Sequence, residues 1–151
     1  MPHLTVDTPT GPVTLTEEAG AITAVVWGAE RAGDHTPLLH EAARQLTAYF
    51  TDPSQGFDLP LLVHGSDFQR AVCAAMQAIP LGETRTYGEL ARDLGVPAQA
   101  VGQACGGNPI PVIIPCHRIL GASGLGGFSG GEGVETKVWL LRHEGAGGLL
   151  I

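Results

Sequence analysis

Several features that mark other protein classes are scarce or missing in this sequence. No run of about 18 apolar residues occurs, so we expect no transmembrane helix and no membrane partner. The first residues lack both a basic segment and an apolar segment, so we expect no signal peptide. The three cysteines, Cys73, Cys105 and Cys116, are odd in number and show no paired spacing. Reduced thiols and a cytoplasmic location are the natural interpretation.

Metal ligands and a uniformly basic surface are also lacking. The four histidines of the first 65 residues (His3, His35, His40 and His64) have no cysteine partner there, so we expect no metal and no other cofactor. The net charge of −7 argues at first against nucleic acid. The charge is uneven, however: residues 1–66 sum to −6 and residues 67–151 to −1. A polyanion would therefore bind the second part.

The 151 residues suffice for one domain or two small lobes, and the pattern predicts an α/β (α+β) fold. The first lobe, residues 1–65, is predicted as a small β-sheet with one helix. Residues 3–27 contain three short alternating stretches separated by turn residues, which predict three strands. Residues 38–50 carry a helical apolar stripe, and residues 57–63 predict an edge strand because of Pro60.

The second lobe, residues 66–151, is predicted to be mostly helical. Ser66 is a plausible N-cap for a helix over residues 67–79, and a last helix spans residues 135–143 with Lys137 and Arg142 exposed. Two short helices, residues 87–94 and 98–106, flank a Gly-Val-Pro turn and form a helix-turn-helix pattern. The proline-rich run at 110–120 predicts an extended buried segment, followed by a glycine loop.

The residue that indicates chemistry is Cys116. It ends the proline-stiffened apolar segment and is followed at once by His117, a side chain able to take a thiol proton near neutral pH. A rigid backbone before a thiol and a base beside it are typical of an activated nucleophile. From spacing alone, a buried structural cysteine remains an equal alternative.

Five ordered segments resemble the O6-alkylguanine-DNA alkyltransferases, also called methylated-DNA–protein-cysteine methyltransferases. The strongest is Asn108-Pro-Ile-Pro-Val-Ile-Ile-Pro-Cys-His-Arg118, which is similar to the family's active-site signature. The others are Thr86-Tyr-Gly-Glu-Leu-Ala91, Ala100-Val-Gly102, Gly127-Phe-Ser-Gly-Gly131 and Lys137-Val-Trp-Leu-Leu-Arg-His-Glu-Gly145. The resemblance covers roughly residues 66–145.

The resemblance implies repair of DNA by direct reversal, with irreversible transfer of an alkyl group from O6 of guanine, and from O4 of thymine, to the protein's own Cys116. His117 would act as base through a water, and Glu144 would orient His117. Tyr87 would give a proton to the departing base. Because no residue of this set could remove the thioether product, each molecule would react once.

The resemblance also implies that the protein has a substrate site and a surface that binds double-stranded DNA containing O6-alkylguanine. Ser129, Phe128 and Gly130 would form the loop at O6, the Cys116 and Ile119 carbonyls would accept from the base's amine, and Asn108 would tie the helix end to the active-site segment. The base must leave the duplex to reach a buried thiol. Minor-groove contacts would come from the predicted helix over residues 98–106, whose side chains are small, and from Arg118. The residues concerned are Ala98, Gln99, Gly102, Cys105, Gly106 and Arg118. We favour a structural ion pair for Arg118, and we expect a monomer.

The chain departs from the family pattern at the recognition helix. Gln99 stands where the family usually has an arginine that fills the gap left by the flipped base, and residues 95–108 contain no lysine or arginine. Phe128 replaces a common tyrosine. These changes predict weak affinity with a shallow salt dependence and leave the rate and range of alkyl groups open.

The sequence is compatible with three other functions. A non-catalytic lesion-binding relative would lack the acceptor cysteine, so Cys116 disfavours it. A cysteine hydrolase built on Cys116, His117 and Glu144 would need an oxyanion hole, which amides of the 121–131 loop could supply. A plain DNA-binding module would leave the Pro-Cys-His-Arg segment unexplained.

Overall fold

A computed structural model describes residues 1–146 of the 151. Three antiparallel strands and five helices, with a two-residue parallel ladder, confirm the predicted α/β (α+β) class. The described chain divides into two compact units. One unit comprises residues 1–64 and 109–113, and the other comprises residues 65–108 and those from 114 onward. Within residues 1–146, no helix combines the length and apolarity needed to cross a membrane.

The first unit is a three-stranded antiparallel sheet covered by one helix. The alternating pattern predicts its three strands, which are β1 (His3–Val6), β2 (Val13–Glu18) and β3 (Ala21–Trp27). They pair in chain order. Helix α1 (Pro37–Thr51) begins at the N-cap Thr36, whose hydroxyl accepts from the Leu39 amide. The core of this unit consists of buried residues from sheet and helix, including Leu15, Ile22, Val25, Leu39, Leu46 and Tyr49.

The prediction of an edge strand over residues 57–63 is wrong in extent. Only Leu61 forms a bridge, with Ile22, in parallel orientation. The Ile22 amide donates to the Pro60 carbonyl at 2.8 Å, and the Leu62 amide donates to the Ile22 carbonyl at 3.0 Å. Pro60 has no amide proton to continue a ladder, which accounts for the single bridge.

Residues 109–113 group with the first unit, so the predicted division into 1–65 and 66–151 misses this segment. The Val25 amide donates to the Pro109 carbonyl at 3.0 Å, and Ile110 is fully buried. The predicted extended path is also interrupted, because Val112 turns the chain with φ of +70°. That value is rare for a β-branched residue, and the burial of Val112 among the core residues holds the turn in place.

The second unit carries the four predicted helices. They are α2 (Asp67–Gln77), α3 (Tyr87–Leu94), α4 (Ala98–Gly106) and α5 (Val134–His143). Ser66 caps α2 as predicted, and Thr86 with Glu89 forms a reciprocal capping box on α3. Gly95 ends α3 in the left-handed conformation, and the short turn to Pro97 produces the predicted helix-turn-helix.

A two-residue parallel ladder in the second unit was not predicted. Strand β4 (Arg85–Thr86) pairs with β5 (Ile119–Leu120), in the register Arg85 with Ile119 and Thr86 with Leu120. Strand β4 leads directly into α3, and β5 directly follows a 3-10 turn over Cys116–Arg118. The ladder therefore brings the start of α3 beside the Pro-Cys-His-Arg segment.

Candidate active site

Cys116 lies at the start of the 3-10 turn, where its amide donates to the Ile114 carbonyl at 2.8 Å. The prediction that residues 116 and 117 are extended is wrong, because both lie in the 3-10 turn. Cys116 remains partly exposed and opens onto a cavity of about 480 Å³, a size that suits a small organic group. Its walls are Tyr87, Gly102, Cys105, Gly106, Cys116, Gly127, Phe128 and Ser129.

The two residues after the thiol, His117 and Arg118, both bind the buried Glu144. His117 Nε2 lies 2.7 Å from Glu144 Oε2, and both side chains are fully buried. Arg118 donates through Nε to Glu144 Oε1 at 2.8 Å and through its terminal nitrogen to Oε2 at 3.1 Å. Its other terminal nitrogen donates to the Ile79 carbonyl at 2.6 Å. Glu144, the C-cap residue of α5, is thus held by two partners that offset its unfavourable place at a helix C-terminus.

This arrangement fixes the histidine tautomer. With Nε2 on the carboxylate, Nδ1 is the ring nitrogen left for other chemistry, and it is buried without a hydrogen-bond partner among residues 1–146. Burial lowers the pKa of His117, and Glu144 only partly opposes that effect. A neutral imidazole oriented by a carboxylate is the form that can accept a proton at neutral pH.

The thiol itself is held by Asn108. The Asn108 amide nitrogen donates to the Ile114 carbonyl at 2.9 Å, which is the side-chain-to-backbone bond predicted between the end of α4 and the active-site segment. Burial raises the pKa of Cys116, whereas a hydrogen bond from Asn108 and the charge of Lys137 lower it. A thiol with a raised pKa needs such support because the thiolate, not the thiol, is the nucleophile.

Tyr87 is the first residue of α3 and packs against a glycine of the pocket loop. A Cβ built on Gly126 would lie 3.0 Å from the Tyr87 ring and 3.2 Å from both its hydroxyl and the Gly121 amide, and Gly126 has φ of +72°. Only glycine fits there without moving the ring. Burial raises the pKa of Tyr87, and the nearby thiols Cys105 and Cys116 add to the effect. The phenol therefore stays protonated and remains a proton donor.

The residue that sequence analysis missed is Lys137. It was predicted to be exposed, but it is fully buried, and its Nζ donates to the Ile119 carbonyl at 2.5 Å and to the Gly127 carbonyl at 3.1 Å. Burial lowers its pKa to about 8, although the ionised thiols of Cys116 and Cys105 oppose this. The sequence did contain a signal for this burial. Lys137 lies three residues before Leu140 and four before Leu141, on the buried face of α5.

The predicted substrate residues fall into two groups. Phe128 and Ser129 line the pocket, and the Ser129 hydroxyl lies 3.5 Å from the Gly106 carbonyl. Gly130 does not line it; its carbonyl accepts from the Gly133 amide at 2.8 Å and closes the turn before α5. The Ile119 carbonyl, expected to accept from the base, already accepts from Lys137, although a carbonyl has a second lone pair.

The predicted DNA-contacting residues of α4 also fall into two groups, one accessible from the surface and one buried. Ala98 and Gln99 are exposed and line an open groove with Gly102 beside Tyr87, and Gly106 is exposed at the rim of the thiol pocket. Cys105 is instead buried as a wall of that pocket, with its pKa raised by burial to about 12. These roles on DNA stay predictions.

The sequence predicts two roles for Arg118, a DNA contact and a structural ion pair. Its side chain is 13% exposed and hydrogen-bonds Glu144 and the Ile79 carbonyl, which favours the structural ion pair over a DNA contact.

Among residues 1–146, no group of three or more potential metal ligands is found.

Comparison with known proteins places this geometry in a family. Residues 67–146, the helical unit with its thiol pocket, match the model described as 6-O-methylguanine DNA methyltransferase, DNA binding domain. The chain belongs to this 6-O-methylguanine DNA methyltransferase family. The resemblance proposed from the sequence is thereby confirmed.

Individual relatives agree over nearly the whole chain. A methylated-DNA–protein-cysteine methyltransferase of Mycolicibacterium paratuberculosis is 44% identical over 94% of this chain and 91% of its own length. The constitutive methylated-DNA–protein-cysteine methyltransferase of Bacillus subtilis is 37% identical over 94% of each chain. The crystal structure of Mycobacterium tuberculosis OGT in complex with DNA aligns with a TM-score of 0.82 at 40% identity, covering 95% of this chain and 92% of that one.

Proposed function

We propose that this chain transfers an alkyl group from O6 of guanine, and from O4 of thymine, in double-stranded DNA to the thiol of its own Cys116. The observation that carries the proposal is one arrangement: a partly exposed thiol that lines a cavity, followed in the chain by His117, whose ring is held by the buried Glu144. Relatives named methylated-DNA–protein-cysteine methyltransferase support the same reaction.

The chemical step is a displacement at carbon. His117 takes the thiol proton at Nδ1 through a water, because Nε2 is held by Glu144. The sulfur attacks the alkyl carbon, a C–S bond forms, and the C–O6 bond breaks with its electron pair moving onto the base. The Tyr87 hydroxyl gives the base a proton, and the proton held by His117 returns to the tyrosinate through solvent. The thioether is stable, so each molecule reacts once.

The substrate must leave the duplex before this step, because a stacked base cannot place O6 against a thiol at the bottom of a cavity. The exposed face of α4, with Ala98, Gln99, Gly102 and Gly106, is the surface we assign to the minor groove. Its small side chains permit close approach. The Phe128–Ser129 wall and the Ile119 carbonyl would then hold the flipped base.

One chain supplies every group named, which supports action as a monomer. The three unpaired thiols suit the reducing environment of the cytoplasm.

The test is stoichiometric transfer. The protein is incubated with excess duplex DNA containing O6-methylguanine, and intact mass and peptide mapping are recorded for the wild type, Cys116→Ala and Cys73→Ala. Cys73 is a matched control because it is a buried thiol on α2 that does not line the cavity. We expect one methyl per protein, on the Cys116 peptide, in the wild type and Cys73→Ala only.

Other outcomes would replace the proposal. Binding of the lesion DNA without transfer would identify a lesion-binding protein. Repeated turnover of an ester or thioester by a Cys116-dependent reaction would identify a hydrolase.

A further inference from the structure

Helix α4 supplies one wall of the thiol cavity, yet its own sequence stabilises it poorly. It has nine residues and no side-chain hydrogen bond at its N-cap. A helix of this length is marginal by itself, and an interior glycine such as Gly102 weakens it further. Because Gly102, Cys105 and Gly106 line the cavity, contacts from other segments must keep this wall in place.

The last turn of α4 is held by a side chain from another helix. Gln69 Nε2, on α2, donates to the Ala104 carbonyl at 2.8 Å, across 35 positions of the chain. The Ser129 hydroxyl reaches the same turn, but its distance to the Gly106 carbonyl is 3.5 Å, so this second bond is the weaker one. Carbonyls in the last turn of a helix lack their usual partner within the helix, so an outside donor there fixes the helix end.

Gln69 makes this contact in place of a local hydrogen bond. The sequence Ser66-Asp-Phe-Gln69 has the spacing of a capping box, in which the glutamine side chain would bond back to the N-cap amide. Thr86 and Glu89 form such a box on α3, whereas on α2 the box is half made, with the Ser66 hydroxyl accepting from the Gln69 amide at 3.0 Å. The Gln69 side chain is directed to α4 instead, and its Nε2 also lies 3.6 Å from the Cys73 sulfur. The first turn of α2 therefore presents a fixed donor to α4.

This contact is placed where it controls the position of the cavity wall. Ala104 is followed directly by Cys105 and Gly106, which line the cavity. Two residues before Ala104, Gly102 lines both the cavity and the open groove on the exposed face of α4. Gln69 lines neither, so any effect that it has on transfer must act through α4.

We propose that Gln69 is a positioning residue for alkyl transfer from DNA; this inference rests on the proposed function of Cys116. Its amide holds the last turn of α4, and with it both the cavity wall and the surface assigned to the minor groove. Without this donor, the Ala104 carbonyl keeps the longer bond from the Gly107 amide, at 3.2 Å, and the helix end is freer to move. A base bound against a displaced wall holds its alkyl carbon out of line with the sulfur, which slows the displacement.

The test compares transfer from DNA with simple alkylation of the same thiol. Single-turnover transfer from duplex DNA containing O6-methylguanine is measured beside carbamidomethylation of Cys116 by iodoacetamide, with peptide mapping, in the wild type, Gln69→Met, Gln69→Lys and Gln77→Met. Gln69→Met keeps the length of the side chain and removes the donor, whereas Gln69→Lys restores a donor that suits a helix C-terminus. Gln77 is a matched control because it is an exposed glutamine of the same helix.

The expected result is a loss confined to the DNA reaction. Gln69→Met should slow transfer from duplex DNA about tenfold, while its reaction with iodoacetamide stays within about twofold of the wild type. Gln69→Lys and Gln77→Met should transfer at close to the wild-type rate. Equal transfer rates for Gln69→Met and the wild type, or no recovery in Gln69→Lys, would overturn the proposal.

Amide hydrogen exchange separates positioning from general stability. In Gln69→Met we expect faster exchange in residues 98–106, with α3 and α5 exchanging as in the wild type. A glutamine that only stabilises the fold would instead lower the melting temperature and speed exchange in all these helices alike, and that result contradicts the proposal.

A second variant and the wild type complete the experiment. Gln69→Glu keeps the shape of the side chain and replaces the donor by an acceptor, so the same loss of about tenfold is expected if Gln69→Met does not fold. Absence of transfer in the wild type would remove the proposed function of Cys116. Wild-type transfer that the Gln69 variants leave unchanged would remove only the inference about Gln69.

Discussion

At the scale of single residues, the group that attacks and the group that protonates line the same cavity. Cys116 and Tyr87 are both wall residues of it, while His117 is buried and bound to Glu144. Tyr87→Phe keeps the ring that packs on Gly126 and removes only the hydroxyl, so we expect transfer from O6-methylguanine to slow by about 10²-fold or more. Single-turnover kinetics measure this. Tyr49→Phe, a buried tyrosine of the first unit, is the control expected to keep the wild-type rate; equal rates for both variants would exclude Tyr87 as the proton donor.

The histidine predicts a pH dependence. Burial lowers the pKa of His117 below its usual 6.5 and raises that of Cys116 above its usual 9.0, so over the neutral range the imidazole is neutral and the thiol keeps its proton until the reaction. The competent state is lost when His117 gains a second proton at low pH. We therefore expect the transfer rate to be flat from about pH 7 to 8 and to fall with a midpoint below 6.5. A rate that climbs steadily through neutral pH would instead mean that bulk titration of the thiol is limiting.

Some side-chain roles could be predicted from the sequence, and others could not. The Glu144–His117 contact could be foreseen because a carboxylate at a helix C-terminus needs a compensating partner. Lys137 could not be placed by the rule that lysines are exposed; its burial depends on carbonyls of Ile119 and Gly127, which come from two other segments. Contacts that depend on distant backbone groups leave only a weak signal in the local pattern.

At the scale of elements, the helices were predictable and the short ladder was not. Ser66, Thr86 and Gly95 mark helix ends through local hydrogen bonds or backbone conformation, which act within a few residues. Strands β4 and β5 have two residues each and pair across more than 30 positions, so neither shows an alternating pattern. The turn at Val112 was missed for a related reason: no propensity favours φ of +70° for valine, and only tertiary packing imposes it.

The glycine loop supplies an element-scale prediction. Gly126→Ala places a methyl group 3.0 Å from the Tyr87 ring in a left-handed backbone conformation, so we expect a loss of about 1–2 kcal/mol in the free energy of unfolding and slower transfer. Gly124→Ala is the control in the same loop, because nothing lies within 4 Å of its added Cβ. Thermal unfolding and single-turnover kinetics test both. If Gly124→Ala impaired transfer as much as Gly126→Ala, general loop rigidity rather than contact with Tyr87 would be the cause.

At the scale of the whole molecule, charge is the unusual property for a family whose substrate is DNA. In the second unit, Arg70 pairs with Asp67 and Arg85 pairs with Asp93. Arg118 and Lys137 point inward onto Glu144 and onto backbone carbonyls. This leaves Arg92 and Arg142 as the cations that form no ion pair among residues 1–146. Binding must therefore depend on close fit of α4 and on the flipped base more than on phosphate attraction.

That charge distribution predicts a shallow salt dependence. With about two phosphate contacts, affinity for lesion duplex should fall only about tenfold between 50 and 200 mM salt, against about 10³-fold or more for a protein with six contacts. Gln99→Arg adds one cation on the exposed face of α4 and should steepen the logarithmic slope by about one while speeding repair of duplex DNA. Fluorescence anisotropy with Cys116→Ser and its Gln99→Arg double variant measures the slopes without transfer. A steep slope in Cys116→Ser alone would mean that cations now held in ion pairs are released to the phosphates, and the close-fit account of binding would be wrong.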